Sequence, residues 1–230
     1  MDDNLGAEAL ARCPLFWHAD DHILRSLAKS LRRRRFRRNE VIFHQGDPGD
    51  SLHVVAVGAV KIVLPSPEGE EAIIATLRPG DFFGELALVD GAPRSATATA
   101  LEASDTLVLP RQVFIELLDS LPGLRDALLV GLARELRRLT GHVEELHFLD
   151  LAGRLAMRLT RLAQESQADA HGKIRLNWPY TQSDLAAMIG GTRQSVNRLL
   201  SELVDEHLIV IEPDVLVITD LEELARRAER

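Results

Sequence analysis

The apolar residues of this chain change their spacing near Pro122, and that change limits the folds open to it. Residues 32–109 contain short apolar runs of strand length, which are separated by turns that contain glycine or proline. The runs are VIF, SLHVVAV, AVKIVL, EAIIATL, SATATAL and TLVL. Short strands at near-regular spacing are typical of a β-sandwich or β-roll. We therefore expect a first domain that is all-β with flanking helices.

After Pro122 the apolar residues recur at helical spacing in a stretch without proline. The repeat consists of Leu128, Leu132, Leu136, Leu139, Val143 and Leu146. Intervals of three and four over nearly three heptads predict a helix that pairs with a copy of itself. A helix that packs on its own domain is the alternative. The pattern favours a homodimer.

The C-terminal part reads as helix, Gly-Gly turn and helix, followed by two apolar runs around Pro213. Thr181 starts the first helix, and Thr192 is a good N-cap for the second. The apolar runs predict a hairpin like the wing of a winged helix. We therefore predict an α+β chain. Its three parts are a β-roll (1–121), a long dimerisation helix (122–149) and a winged helix-turn-helix (150–230).

The composition argues against several classes of protein. No apolar run approaches the roughly 20 residues of a membrane span, and the acidic start lacks the apolar block of a secretory signal. We therefore expect a cytoplasmic protein with no membrane partner. Cys13 is the single cysteine, and the eight histidines show no ligand spacing, so we expect no metal, haem or iron–sulfur cluster. With a formal net charge of -8, any DNA contact must come from a local basic surface.

The segment PGDFFGELALVDGAPRSATA carries the most informative pattern. It reads as a strand that breaks at Gly84, a short apolar turn, and a return to strand at Arg94. A glycine before a helical turn lets backbone N–H groups point at an anion, and an arginine can form a bidentate pair with it. These residues predict a phosphate site. An ion pair between Glu85 and Arg94 beside a turn is the structural alternative.

The string FGELAL, a short loop and RSAT resemble the phosphate-binding cassette of the cyclic-nucleotide-binding domain in the CRP/FNR family of bacterial regulators. GDPGDSLHVVAVGAVKI resembles the family's early strands, FLDLAGRL the hinge after its dimer helix, and TQSDLAAMIGGTRQSVNRLLSEL its DNA-reading unit. The resemblance implies a cyclic-nucleotide-binding β-roll, a dimerisation helix and a winged helix-turn-helix. It implies cyclic AMP as effector. Cyclic GMP, a cyclic dinucleotide or action without ligand are the alternatives.

The resemblance also implies the residues of the nucleotide site. Glu85 would hold the ribose hydroxyl and Arg94 the cyclic phosphate. The implied nucleotide-binding residues are Gly84, Glu85, Leu86, Arg94, Ser95, Leu139, Thr140, Ile62, Ile74 and Leu77. The last three would line the base pocket, although ordinary core positions explain them equally well. Leu139 and Thr140 match the polar pair that touches a purine base. Leu139 departs from that pattern, and its place in the apolar repeat also suits a dimer core.

The second helix of the DNA-reading unit presents side chains that suit base edges. Arginine pairs with guanine, and glutamine or asparagine pairs with adenine. The candidate DNA-binding residues are Thr181, Gln182, Thr192, Arg193, Gln194, Ser195, Asn197 and Arg198. Family members commonly have glutamate where Gln194 stands, so we expect a different half-site at that base pair. The expected partner is palindromic double-stranded DNA, and an ordinary helical hairpin with a solvated polar face is the alternative.

The run RRRRFRR at residues 32–38 alternates with strand period and predicts a solvated edge strand whose arginines resist aggregation. Arg32 and Arg34 also match positions that face RNA polymerase in the family's activators. His171 and Gly172 lie on a loop that can play a similar role. The resemblance therefore makes RNA polymerase a second candidate partner.

Three rival functions have less support from the sequence. A nucleotide-cleaving enzyme such as a phosphodiesterase would need a metal-ligand cluster or a Walker-type loop, and neither pattern is present, so we predict no catalytic residues. An oxygen sensor on the same fold would hold an iron–sulfur cluster with four thiolates, which a single cysteine excludes, and a haem sensor would need a distinctive His or Cys ligand, which the sequence does not show. A protein-binding helix-turn-helix is disfavoured by Arg193 and Arg198.

Overall fold

The computed structural model describes residues 3–121, 123–164 and 173–228, which fall into two compact units. The first unit ends at Arg137 and the second begins at Arg138. The division lies within one long helix, which runs over Leu124–Phe148. None of the described helices is long and apolar enough to cross a membrane.

The first unit contains two antiparallel sheets and the helices that cover one of them. The strands are β1 (Arg32–Phe36), β2 (Val41–Phe43), β3 (Ser51–Val57), β4 (Val60–Pro65), β5 (Glu71–Leu77), β6 (Phe82–Phe83), β7 (Thr97–Ala100) and β8 (Ser104–Pro110). The helices are α1 (Asp3–Arg12), α2 (Asp21–Ser30), α3 (Leu86–Asp90), α4 (Arg111–Ser120) and the first part of α5 (Leu124–Phe148), with a 3-10 turn at Pro14–Phe16. The strand orders are β1-β8-β3-β6 and β2-β7-β4-β5, which form the predicted roll.

The sheet β1-β8-β3-β6 is covered on both faces, which explains why the SLHVVAV run is apolar almost throughout. Successive side chains of a strand point to opposite faces. Leu52 and Val54 of β3 pack into a core cluster with the flanking helices. Val55 belongs to a second cluster, which includes Phe83 of β6 and Ala98 of β7. β1 lies at the sheet edge, as the arginine-rich run predicts.

The second unit is a small α/β domain. Its elements after α5 are α6 (Leu151–Gln164), β9 (Ile174–Asn177), α7 (Gln182–Ile189), α8 (Arg193–Asp205), β10 (Ile209–Glu212), β11 (Val215–Ile218) and α9 (Leu221–Arg227). β10 and β11 form the predicted hairpin, and β9 pairs antiparallel with β11 as a third strand. The strand β9 is not among the predicted elements. The α+β class, the long helix and the winged helix-turn-helix are confirmed.

The apolar repeat of α5 does not begin at the predicted residue. Leu128 is only 6% exposed and packs in the core of the first unit, and Leu132 packs partly against the same core. Leu129 is instead 64% exposed and lies two turns before Leu136, which is 67% exposed. Val143 is exposed as well. The solvent-facing repeat therefore starts at Leu129, because Leu128 packs in the core of the first unit.

Candidate functional site

Gly84 and Glu85 join β6 to the short helix α3, and Gly84 approaches Arg94 closely. Gly84 has a positive φ of 84°, which residues with a Cβ atom rarely adopt. A Cβ atom at this position would lie 2.4 Å from Nη1 of Arg94. Only glycine therefore leaves room for the guanidinium beside this turn.

The loop between β2 and β3 holds the backbone around Arg94 in place. The Gly46 N–H donates to the Arg94 carbonyl, and the Arg94 N–H donates to the Asp47 carbonyl, both at 2.9 Å. A Cβ atom on Gly49 would lie 2.1 Å from the Cβ of Ala87 in α3. The loop thus packs directly on α3. The predicted return to strand at Arg94 is wrong, because these loop contacts hold Arg94 and Ser95 outside β7, which begins at Thr97.

The guanidinium of Arg94 is buried in the middle of this arrangement. Arg94 is 4% exposed. Its Nη1 donates to the Gly84 carbonyl at 2.7 Å, and its Nη2 donates to the carbonyl and hydroxyl of Ser51 at 2.7 and 3.3 Å. These bonds use at most three of the five N–H donors of a guanidinium. Its buried Nε has no hydrogen-bond partner within the described residues. At least two of its five N–H donors are therefore not used by these three bonds.

Arg94 lies among carboxylates that differ in how far they are buried. Burial lowers the pKa of Arg94, whereas the carboxylates of Asp50, Glu85 and Asp47 raise it. Burial raises the pKa of Glu85, and the carboxylate of Glu135 on α5 raises it further. A hydrogen bond from its own backbone N–H and the charge of Arg94 lower this pKa. Asp50 reaches within 3.8 Å of Nη2, but its side chain is largely exposed. Asp50 therefore faces solvent, whereas Glu85 is half-buried.

The structure brings Gly84, Glu85 and Arg94 together, as the resemblance implies. Leu86, in the first turn of α3, and Ser95 are both exposed next to them. Leu139 is half-buried and Thr140 is exposed, and both belong to the second unit.

The three candidates for a base pocket lie on the sheet β2-β7-β4-β5. Ile62 and Leu77 are partly buried and pack against the core cluster inside the roll. Ile74 is half-buried at a register irregularity between β4 and β5. Ile62 and Leu77 therefore border the interior of the roll, which fits a pocket wall and fits core packing equally well.

Three partners of Arg94 were not predicted from the sequence: Phe43, Asp50 and Ser51. The Cζ of Arg94 lies 4.3 Å from the ring centroid of Phe43. The sequence GDPGDS quoted for the early strands contains Asp50 and Ser51. Its two glycines indicate a tight loop, but no local pattern shows that this loop meets an arginine 43 residues later.

The first helix of the helix-turn-helix begins with a complete capping box. The Thr181 hydroxyl accepts from the Asp184 N–H at 3.1 Å, and the Asp184 carboxylate accepts from the Thr181 N–H at 2.9 Å. α7 ends at Gly190, which is left-handed. Arg154 of α6 donates to the Ile189 carbonyl at 2.6 Å. Both ends of α7 are therefore satisfied.

The recognition helix α8 starts at the predicted N-cap, Thr192. Its hydroxyl oxygen accepts from the Ser195 N–H at 3.1 Å and lies 2.9 Å from the Ser195 hydroxyl. Gln182 of α7 donates to the amide oxygen of Asn197 at 2.8 Å. Two candidate base-reading side chains on different helices are thus already linked.

The remaining candidates on α8 face solvent. Arg193 and Gln194 are exposed in the first turn. The exposed side chain of Arg198 lies 3.8 Å from Glu202 one turn later, a distance at which a surface ion pair is weak. Both arginines therefore remain available for an anion or a base edge.

The wing has a basic residue that the sequence analysis did not consider. Arg175 of β9 forms an ion pair of 2.7 Å with Glu212 at the end of β10. The segment IRLN does alternate between apolar and polar residues, but four residues are a weak signal. The wing surface therefore carries a cation that is already neutralised.

Of the four residues proposed to face RNA polymerase, the structure describes two. Arg32 and Arg34 are exposed on the edge strand β1, and the Cζ of Arg34 lies 5.0 Å from the ring centroid of Phe36. His171 and Gly172 lie outside the described residues. Within those residues, no three His, Cys, Asp or Glu side chains are grouped so that they could hold a metal ion.

Two family models match this chain, one in each unit. Residues 33–120 match the cyclic nucleotide-binding domain. Residues 153–227 match the Crp-like helix-turn-helix domain. The first match contains the Arg94 site, and the second contains both helices of the helix-turn-helix.

Similar proteins are found among curated relatives and solved structures. A CRP-like cAMP-activated global transcriptional regulator of Mycobacterium tuberculosis is 34% identical over 221 residues, which cover 96% of this chain and 99% of that protein. The cAMP-activated global transcriptional regulator CRP of Escherichia coli is 31% identical, with 77% and 84% covered. A transcriptional regulator of the CRP family from Thermus thermophilus has a TM-score of 0.72 at 28% identity, with 86% and 97% covered. The chain therefore belongs to the CRP/FNR family of DNA-binding transcription regulators.

Proposed function

We propose that this chain is a homodimeric regulator that binds cyclic AMP in its roll and palindromic duplex DNA through its helix-turn-helix. The observation that carries the proposal is the buried Arg94 guanidinium, whose Nε lacks a partner within the described residues. A buried donor without a partner is costly. A cyclic phosphate beside Gly84 would accept from this Nε, and Glu85 would accept from the ribose hydroxyl.

The exposed side chains of α8 support the choice of DNA as partner. Arg193 and Arg198 can each pair with a guanine, and Gln194 and Asn197 suit adenine. The chain has a net charge of -8, so a DNA contact is favourable only where such cations are concentrated. A regulator of chromosomal DNA would work in the bacterial cytoplasm. No catalytic step is part of the proposal.

The exposed part of the α5 repeat supports a homodimer. Leu129, Leu136 and Val143 follow heptad spacing and are more than half exposed. A two-fold dimer would present two recognition helices about 34 Å apart, which fits successive major grooves of a palindrome. Nucleotide binding would favour the arrangement with that spacing. The exposed Arg32 and Arg34 on β1 would then be open to RNA polymerase.

Cyclic AMP is the preferred effector because the relatives from Mycobacterium tuberculosis and Escherichia coli are named as cAMP-activated. Cyclic GMP or a cyclic dinucleotide is the second candidate, and Leu139 is the residue that favours it. A leucine cannot hydrogen-bond the edge of a purine, so only Thr140 would supply a hydroxyl at the polar pair.

Calorimetric titration with cyclic AMP, cyclic GMP and cyclic di-GMP tests the proposal directly. We expect cyclic AMP to bind most tightly. We also expect Arg94→Ala to weaken its binding by about 1.5 to 3 kcal/mol, the range for a hydrogen bond to a charged group. Arg25→Ala, an exposed arginine on α2, is the matched control and should bind like wild type. Folded wild-type protein that binds none of the three nucleotides would contradict the proposal.

A further inference from the structure

Three aromatic rings lie together inside the roll, next to the buried arginine. His53 stacks on Phe83 with a centroid distance of 5.1 Å and an interplanar angle of 22°. Phe43 lies 5.7 Å from Phe83 and 5.9 Å from His53. Phe43 is the member of this cluster that meets the guanidinium of Arg94, at 4.3 Å from its ring centroid.

The guanidinium is held from two directions. In its plane, Nη1 and Nη2 donate to the carbonyls of Gly84 and Ser51. The Cζ of Arg94 also lies over the ring of Phe43, which attracts the cation, and this attraction is stronger where water is excluded. The side chain of Arg94 is only 3% exposed. The contact with the ring therefore restrains the guanidinium in addition to the two hydrogen bonds.

The cluster adds no second positive charge beneath the arginine. The Nδ1 of His53 lies 3.1 Å from the Thr106 hydroxyl. Burial lowers the pKa of His53 to about 3, and the charges of Arg94 and Arg34 lower it as well. His53 is therefore neutral at pH 7. Arg94 keeps its interaction with Phe43 without repulsion from the imidazole.

We infer that Phe43 is a positioning residue, which holds the guanidinium of Arg94 so that its remaining N–H donors can meet the cyclic phosphate. The inference rests on the proposed function. Phe43 does not itself contact the phosphate; it acts through Arg94. Its ring is half-buried and packs against the outside of the core cluster, as Ile62 and Leu77 do, so replacing it with leucine is compatible with a folded roll.

Four proteins test the inference: wild type and the variants Phe43→Leu, Phe43→Tyr and Phe36→Leu. Phe36 is a matched control because it is buried in the same core cluster and lies under a different arginine, Arg34. Cyclic AMP affinity is measured by calorimetry, and folding by urea denaturation of the nucleotide-free protein. We expect Phe43→Leu to lose about tenfold in affinity, within the range of a desolvated cation–π contact. Phe43→Tyr keeps the ring and should stay within about twofold of wild type.

The control separates positioning from loss of core packing. Phe36→Leu should lower the urea midpoint at least as much as Phe43→Leu while it retains wild-type affinity. Equal affinity losses in the two leucine variants would overturn the inference, and so would wild-type affinity in Phe43→Leu. Either result would leave the proposed function standing, because the wild-type protein would still bind cyclic AMP. Failure of the folded wild-type protein to bind any cyclic nucleotide would overturn the proposed function and this inference together.

Discussion

His53 should make the roll sensitive to acid. The residue is 3% exposed, stacks on Phe83, and lies within hydrogen-bond distance of Thr106. Its pKa is lowered to about 3, first by burial and then by the charges of Arg94 and Arg34, from an ordinary value of 6.5. The folded protein therefore keeps this imidazole neutral at a pH where the unfolded chain binds a proton.

The sign and size of the effect follow from proton linkage. Between pH 6.5 and about 3 the unfolded state binds more protons at His53 than the folded state does. The free energy of unfolding therefore falls as the pH falls through this window. At about 1.36 kcal/mol per pH unit, lowering the pH from 7.5 to 5.0 costs about 2 kcal/mol through this one residue.

The measurement is urea denaturation at pH 7.5 and pH 5.0 at one protein concentration. His53→Phe keeps an aromatic ring against Phe83 but removes the titrating group, so it should lose about 2 kcal/mol less than wild type between the two pH values. Thr106→Val is the control, because it removes the hydroxyl and keeps the imidazole. It should retain the wild-type pH dependence. The same loss in wild type and His53→Phe would refute the buried neutral histidine.

Two further predictions concern assembly and DNA. Leu136→Glu should convert the dimer to monomers in analytical ultracentrifugation, because a charge enters the apolar repeat. Arg134→Glu, two residues earlier and off the repeat, should remain dimeric, and a wild-type monomer at micromolar concentration would end the dimer proposal. Arg193→Ala should lower affinity for the palindrome by about 1 to 3 kcal/mol and affect scrambled duplexes far less in anisotropy titrations. Equal losses on both duplexes would assign Arg193 to a phosphate contact.

The parts of the fold that depend on local pattern could be predicted from the sequence. The strand β3 follows from its apolar run. The caps Thr181 and Thr192 follow from a short hydroxyl side chain placed just before a helical stretch. The edge position of β1 follows from its arginines, since a central strand would bury half of them. The grouping of Gly84 with Arg94 could be anticipated only from the whole cassette string.

The features that the sequence analysis missed depend on contacts between distant segments. Leu128 and Leu129 both fit a spacing of three or four from their neighbours, and only packing against the roll decides which one is buried. β9 is four residues long and becomes a strand by pairing with β11. Ser51 and Phe43 meet Arg94 only after the two sheets have closed, so no local pattern reveals them.

The contact between Arg154 and the Ile189 carbonyl has a consequence for protein engineering. α6 supplies this guanidinium to the C-terminal end of α7, and Leu151 packs so tightly on Gly191 that a Cβ there would lie 2.8 Å away. Asp150 caps α6 by accepting from the Gly153 N–H at 2.7 Å. A transplantable DNA-reading module must therefore be cut before Asp150. A graft that begins at β9 would carry the base-reading side chains. It would lack α6, which holds the turn between α7 and α8 in place.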